Sequence, residues 1–124
     1  MKMHLSKITI DISDFALIGE NGNYLTGQKE GLLLYKTGTV CDSDFTEQSA
    51  NAVCQKMGYH AAKSWRSGLL FENQQNDKEI SLGSVSCSSD SWSSCEVSTT
   101  NNCSHSNDVF LLCYGEDFGI REPL

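Results

Sequence analysis

The sequence predicts an α+β fold: a curved, mostly antiparallel sheet of short strands cradling one α-helix, with long loops stapled by three disulfides. Three observations carry that prediction. Several short segments read as strands, by alternation or as brief apolar runs next to glycine. A single stretch, near residues 46–57, has convincing helical periodicity. Six cysteines in 124 residues make an even set, the pattern of a disulfide framework formed in an oxidising compartment.

Residues 7–12 read Lys-Ile-Thr-Ile-Asp-Ile, a strict alternation that predicts a half-buried strand. Ala16-Leu17-Ile18 predicts a second short strand, and Asn21-Gly22 a turn. Leu32-Leu33-Leu34-Tyr35 lies between Gly31 and Lys36-Thr37-Gly38, which predicts a buried strand, a tight turn and a strand through Val40. In the helix, Ala50, Val53, Cys54 and Met57 fall at i, i+3, i+4 and i+7, one face. Asp44 with Glu47 three residues on is a candidate capping box, and Thr46 is the alternative cap. Gly58 is placed to end the helix in a left-handed conformation. Residues 72–77 are polar and predict a loop, Ile80, Leu82 and Val85 predict short strands, and residues 109–114 a final buried strand. Residues 81–106 hold eleven serines and little apolar material, so they need a covalent staple.

At this length the chain is one domain, with residues 14–115 as its body, 1–13 as an N-terminal extension or first strand and 116–124 as a tail. Net charge is −7, which excludes a generic nucleic-acid binder with a basic stripe and argues against charge-driven capture of polyanions. Lys56, Lys63 and Arg66 are the one basic grouping. No apolar run approaches the roughly 20 residues that span a bilayer, so no membrane insertion is expected. The first residues hold no signal-peptide core, because Lys7, Thr9 and Asp11 interrupt them. A secreted location, which the cysteines favour, then implies a leader that this chain does not carry.

Six cysteines allow 15 pairings, and spacing alone does not choose among them. Cys87 and Cys95 flank a polar loop of seven residues, so joining them costs little chain entropy. The words around the cysteines are more specific. They are Gly38-Thr39-Val40-Cys41-Asp42, a gap of twelve residues, then Val53-Cys54 followed by Met57-Gly58-Tyr59, and finally Cys103-Ser104-His105-Ser106-Asn107-Asp108. Together they resemble the scavenger receptor cysteine-rich domain over residues 15–114. The resemblance implies the six-cysteine pairing of that family's group A: Cys41–Cys103, Cys54–Cys113 and Cys87–Cys95. Two of these would close loops of about 60 residues and contribute roughly 4 kcal/mol each in the chain-entropy model. The chain departs from the pattern in a short Lys36-Thr37-Gly38 turn, in Phe45 where tryptophan is common, and in Phe110 where glycine is usual.

The resemblance also implies a surface site for calcium or magnesium. It is built from two aspartates after the first cysteine and a glutamate in the His-Ser-Glu-Asp segment. Hard divalent cations want oxygen ligands, mostly carboxylate. Here Asp42 matches the first aspartate, Ser43 replaces the second and Asn107 replaces the glutamate, leaving Asp44 or Asp108 to compensate. The alternative is that Asp42 and Asp108 make local turn or cap hydrogen bonds. No cofactor is required. The expected function is non-catalytic extracellular recognition of microbial surface polymers, other polyanions or host proteins; the alternative is a structural or regulatory module of a larger secreted or membrane protein.

No enzyme is expected. Ser104 and His105 are adjacent, and neighbours on a strand point to opposite faces. No Gly-x-Ser-x-Gly elbow and no phosphate loop occurs. A zinc site is disfavoured, because no Cys-x-x-Cys knuckle occurs and His105, beside Cys103, has no second paired ligand at finger spacing. Trp65 beside Lys63 and Arg66 is either shelf packing or an aromatic contact at a ligand surface. Trp92 is expected over the Cys87–Cys95 bridge. Asn102-Cys103-Ser104 matches the N-glycosylation pattern with a cysteine at its centre.

Overall fold

Leu32, Leu33 and Leu34 are consecutive and all buried. Successive side chains on a strand point to opposite faces, so this run belongs to a strand covered on both sides. A computed structural model describes residues 14–19, 22–23, 28–99 and 102–115 of the chain. The predicted strand at 7–12, Asn21 and the tail at 116–124 lie outside the described residues.

The leucine strand, β3 (Gln28–Tyr35), is the hub of an eight-stranded sheet. Along one edge it pairs antiparallel with β8 (Val109–Tyr114), Gln28 facing Tyr114 and Leu32 facing Phe110. Its later residues pair with β1 (Phe15–Ile18) and its first two with β2 (Gly22–Asn23). A turn at Lys36 and Thr37, with Lys36 at φ +60°, leads into β4 (Gly38–Ser43). The path runs β5-β8-β3-β4-β6-β7, where β5 is Ala61–Ser67, β6 Ile80–Cys87 and β7 Cys95–Ser98. Among the described strands β4 and β6 form the one parallel pair; the others are antiparallel.

The helix α1 (Glu47–Lys56) forms where its periodicity predicts. Of the two candidate caps, Thr46 is the one used: its side chain accepts from the Ser49 N–H (3.3 Å), and Ser49 Oγ accepts from the Thr46 N–H (3.1 Å). Asp44 does not cap. It sits two residues earlier at φ +59°, inside a turn closed by the Phe45 N–H donating to the Asp42 carbonyl (3.0 Å). Gly58 takes the left-handed conformation after the last turn, φ +102°.

Val53, Ala50 and Cys54 on α1 meet Leu33, Val40, Leu82, Val85, Val109 and Leu111 in the main core. Leu32, Leu34 and Phe110 form a smaller cluster with Ile18. Phe71 adds an edge-on ring contact to Phe110 at 5.6 Å. Residues 72–77 are not simply a loop: Glu72–Asn76 make a short helix, α2. The three bridges are Cys41–Cys103, Cys54–Cys113 and Cys87–Cys95, spanning 62, 59 and 8 residues. The second joins α1 to β8 with both cysteines fully buried. Among the described residues no helix is long and apolar enough to cross a membrane.

Candidate functional site

Asp42 and Ser43 are the last residues of β4, and the Cys41–Cys103 bridge ties that strand end to the 102–107 segment. The parallel pairing of Ser43 with Ser84 brings in a third wall from β6. The result is a surface hollow of about 400 Å³ lined by Asp42, Ser43, Asp44, Gly83, Ser84, Asn102, Cys103 and Asn107. Asn107 is held in place locally. Its Oδ1 accepts from the Ser104 N–H (3.4 Å), and its own N–H donates to the Ser104 carbonyl (2.9 Å).

Asp42, Asp44 and Asn107 thus share one hollow although the last is more than 60 residues away in sequence. Asp108 does not join them. It is fully buried behind the hollow's rim, and its Oδ2 accepts from Gln75 Nε2 (2.9 Å) and faces His105 Nδ1 (2.8 Å). Among the described residues no three Asp, Glu, His or Cys side chains converge as metal ligands. The hollow offers two carboxylates with hydroxyl and amide oxygens, a donor class that hard divalent cations accept, at low total charge.

Gln75 is the residue that sequence reasoning missed. It is fully buried on a short polar helix. The Phe71 N–H donates to its Oε1 (2.6 Å), and its amide N–H groups face the Gly68 carbonyl (2.9 Å), the His105 carbonyl (3.2 Å) and Asp108 Oδ2. His105 Nε2 donates to the Lys78 carbonyl at 2.8 Å, since a carbonyl can only accept. This clamp fixes the 68–78 segment against the turn that carries Asn107. It also corrects the strand geometry assumed for Ser104 and His105: they lead a 3-10 turn, Ser104 Oγ meets Ser106 Oγ, and the imidazole is spent on Asp108 and Lys78.

The basic candidates lie elsewhere. Lys63 and Arg66 are exposed on β5, with Arg66 3.9 Å from Glu30, and Trp65 is half-buried, its ring edge-on to Phe45 at 4.9 Å. Lys56 stands apart over the Trp92 ring (5.7 Å), and Trp92 meets Phe15 edge-on at 5.3 Å.

The model of the scavenger receptor cysteine-rich domain matches residues 23–114, most of the chain. The chain belongs to the scavenger receptor cysteine-rich family. Lysyl oxidase homolog 2 of Xenopus laevis is 32% identical over 107 residues, a match covering 78% of this chain and 13% of that protein. The Bos taurus homolog 2 is 29% identical over 120 residues, 89% of this chain and 15% of that protein. The chain therefore spans about a seventh of the curated relatives it matches. Among solved structures, the third scavenger receptor cysteine-rich domain of murine neurotrypsin superposes with a TM-score of 0.56, 26% identity and coverage of 80% of this chain and 94% of that one. Modules of this scavenger receptor family are typically extracellular parts of larger proteins. The hollow brings together Asp42, Ser43 and Asn107, the positions that the sequence resemblance singles out as candidate cation ligands.

Proposed function

We propose that the chain is a non-catalytic extracellular recognition module, binding microbial surface polymers, other polyanions or host proteins at the Asp42–Asn107 hollow. One observation carries the reading: a disulfide gathers Asp42, Asp44 and Asn107 around one open depression. Net charge −7 repels an anionic ligand, so direct contact with a polyanion is disfavoured. A divalent cation held by the two carboxylates would supply the missing positive charge and bridge to an anionic group of the ligand. Lys63, Arg66 and Trp65 on β5 give a second, cation-independent contact face. A binding screen against bacterial surfaces, sulfated and phosphorylated polymers and extracellular proteins, with calcium and with chelator, tests both. Binding that survives Asp42→Asn with Asp44→Asn, and falls with Lys63→Ala and Arg66→Ala, transfers the site to β5.

The share of each relative that is matched supports a second reading, an accessory module attached to a larger secreted or membrane protein. In that case the screen stays blank, and the ligand is a neighbouring domain of the same polypeptide.

A further inference from the structure

The sequence holds a single Asn-x-Ser/Thr pattern, Asn102-Cys103-Ser104, and its central residue is bonded to Cys41. A bonded cysteine inside the acceptor pattern obstructs it only if the two flanking side chains turn inward with it. They do not. Asn102 and Ser104 are exposed, and Cys103 between them is half-buried. In extended backbone, side chains two apart share a face and the one between them points away. Ser104 has that backbone, at φ −125° and ψ 173°. The amide that accepts the sugar and the hydroxyl that completes the pattern therefore stand on the outside, with the bridge behind them. Residues 102–104 also lie outside any helix or strand, between β7 and the 3-10 turn that begins at His105. Asn102 is moreover part of the hollow's wall, with Asp42, Asp44 and Asn107.

We propose that Asn102 carries an N-linked glycan that stands over the mouth of the hollow, so that its presence decides whether the hollow is open to a macromolecular ligand. The inference rests on the extracellular reading above, because this modification belongs to surface loops of secreted proteins. The donor is a lipid-linked oligosaccharide pyrophosphate. A bond forms between Asn102 Nδ2 and the anomeric carbon of the sugar, the bond from that carbon to the pyrophosphate oxygen breaks, and the lipid pyrophosphate leaves. The amide proton passes to a base of the transferase. An attached oligosaccharide is bulky and hydrated, whereas the hollow holds about 400 Å³. Sugar rooted on its wall leaves room for a bare cation beneath it and none for a polymer or a protein surface above.

The full chain is expressed behind a secretory leader in cultured animal cells, and the protein in the medium is mapped by peptide mass for its bridges and its glycan. Peptide N-glycosidase in heavy-oxygen water should leave its mass tag at Asn102, and Asn102→Gln should remove the glycan while the three bridges stay as they are. Access to the hollow is read at Asp44, which is exposed on its wall. The carboxylate is activated with a carbodiimide and coupled to an amine-ended polyethylene glycol. Coupling at Asp44 should run at least about threefold slower on the glycosylated chain than on Asn102→Gln. Secreted chain with all three bridges and no glycan at Asn102 overturns the inference and leaves the extracellular reading standing. Chain retained in the cells with free thiols overturns that reading, and the inference falls with it. A glycan at Asn102 with equal coupling at Asp44 overturns the covering of the hollow.

Discussion

Gln75 has no place in the apolar pattern of the chain, yet none of it is exposed. A buried amide is tolerated when its donors and acceptor are used, and here all are. Gln75→Ala would strand the Phe71 N–H and the Gly68 carbonyl, and would take one donor each from the His105 carbonyl and from Asp108 Oδ2, whose companion Oδ1 already has no partner. The expected loss is on the order of 2–4 kcal/mol, read as a shift in the urea midpoint; an unchanged midpoint would show that water substitutes for the amide. Gly31 is a second residue fixed by geometry. A Cβ there would stand 2.5 Å from the Ile18 carbonyl oxygen, because β1 crosses β3 at that point. Gly31→Ala should cost on the order of 1–3 kcal/mol by thermal melting. The sequence made Gly31 a strand boundary, whereas it lies within β3; a close backbone approach leaves no trace in local pattern.

At the scale of the element, legibility follows the apolar period. α1 was legible because Ala50, Val53 and Cys54 point into the core, with Met57 packed against it. Val53→Asp should therefore place an unpaired charge in that core and cost on the order of 3–5 kcal/mol, seen as a lower melting temperature; a melting temperature that does not move would mean the face was misassigned. β3 and β8 were legible as apolar runs because both their faces are covered. β5 was not. A bulge between Ala62 and Ser64 shifts its phase, so that Trp65 turns toward Phe45 while Lys63, Ser64 and Arg66 stay exposed, and no alternation survives. α2 was read as a loop since its one buried side chain is an amide.

Over the whole molecule, the bridges convert distant sequence words into one surface. Asp42 and Asn107 were legible as partners only through the resemblance that pairs Cys41 with Cys103. Gly83 and Ser84 reach the hollow through the parallel β4–β6 pairing, and Asn102 through the loop after β7, neither of which a linear pattern encodes. The hollow keeps one of the family pattern's three acidic ligands, Asp42, with Asp44 beside it at a position outside that pattern, so its cation affinity should be millimolar or weaker. Ser43→Asp with Asn107→Glu restores the missing charges without touching the core, since Ser43 is exposed and Asn107 lies at the rim. Titration calorimetry with calcium on the parent chain and on this double variant is the most direct measurement. Weak heat from the parent and binding more than about tenfold tighter in the double variant is the predicted result; a double variant that still binds no calcium would show that the hollow is not a cation site.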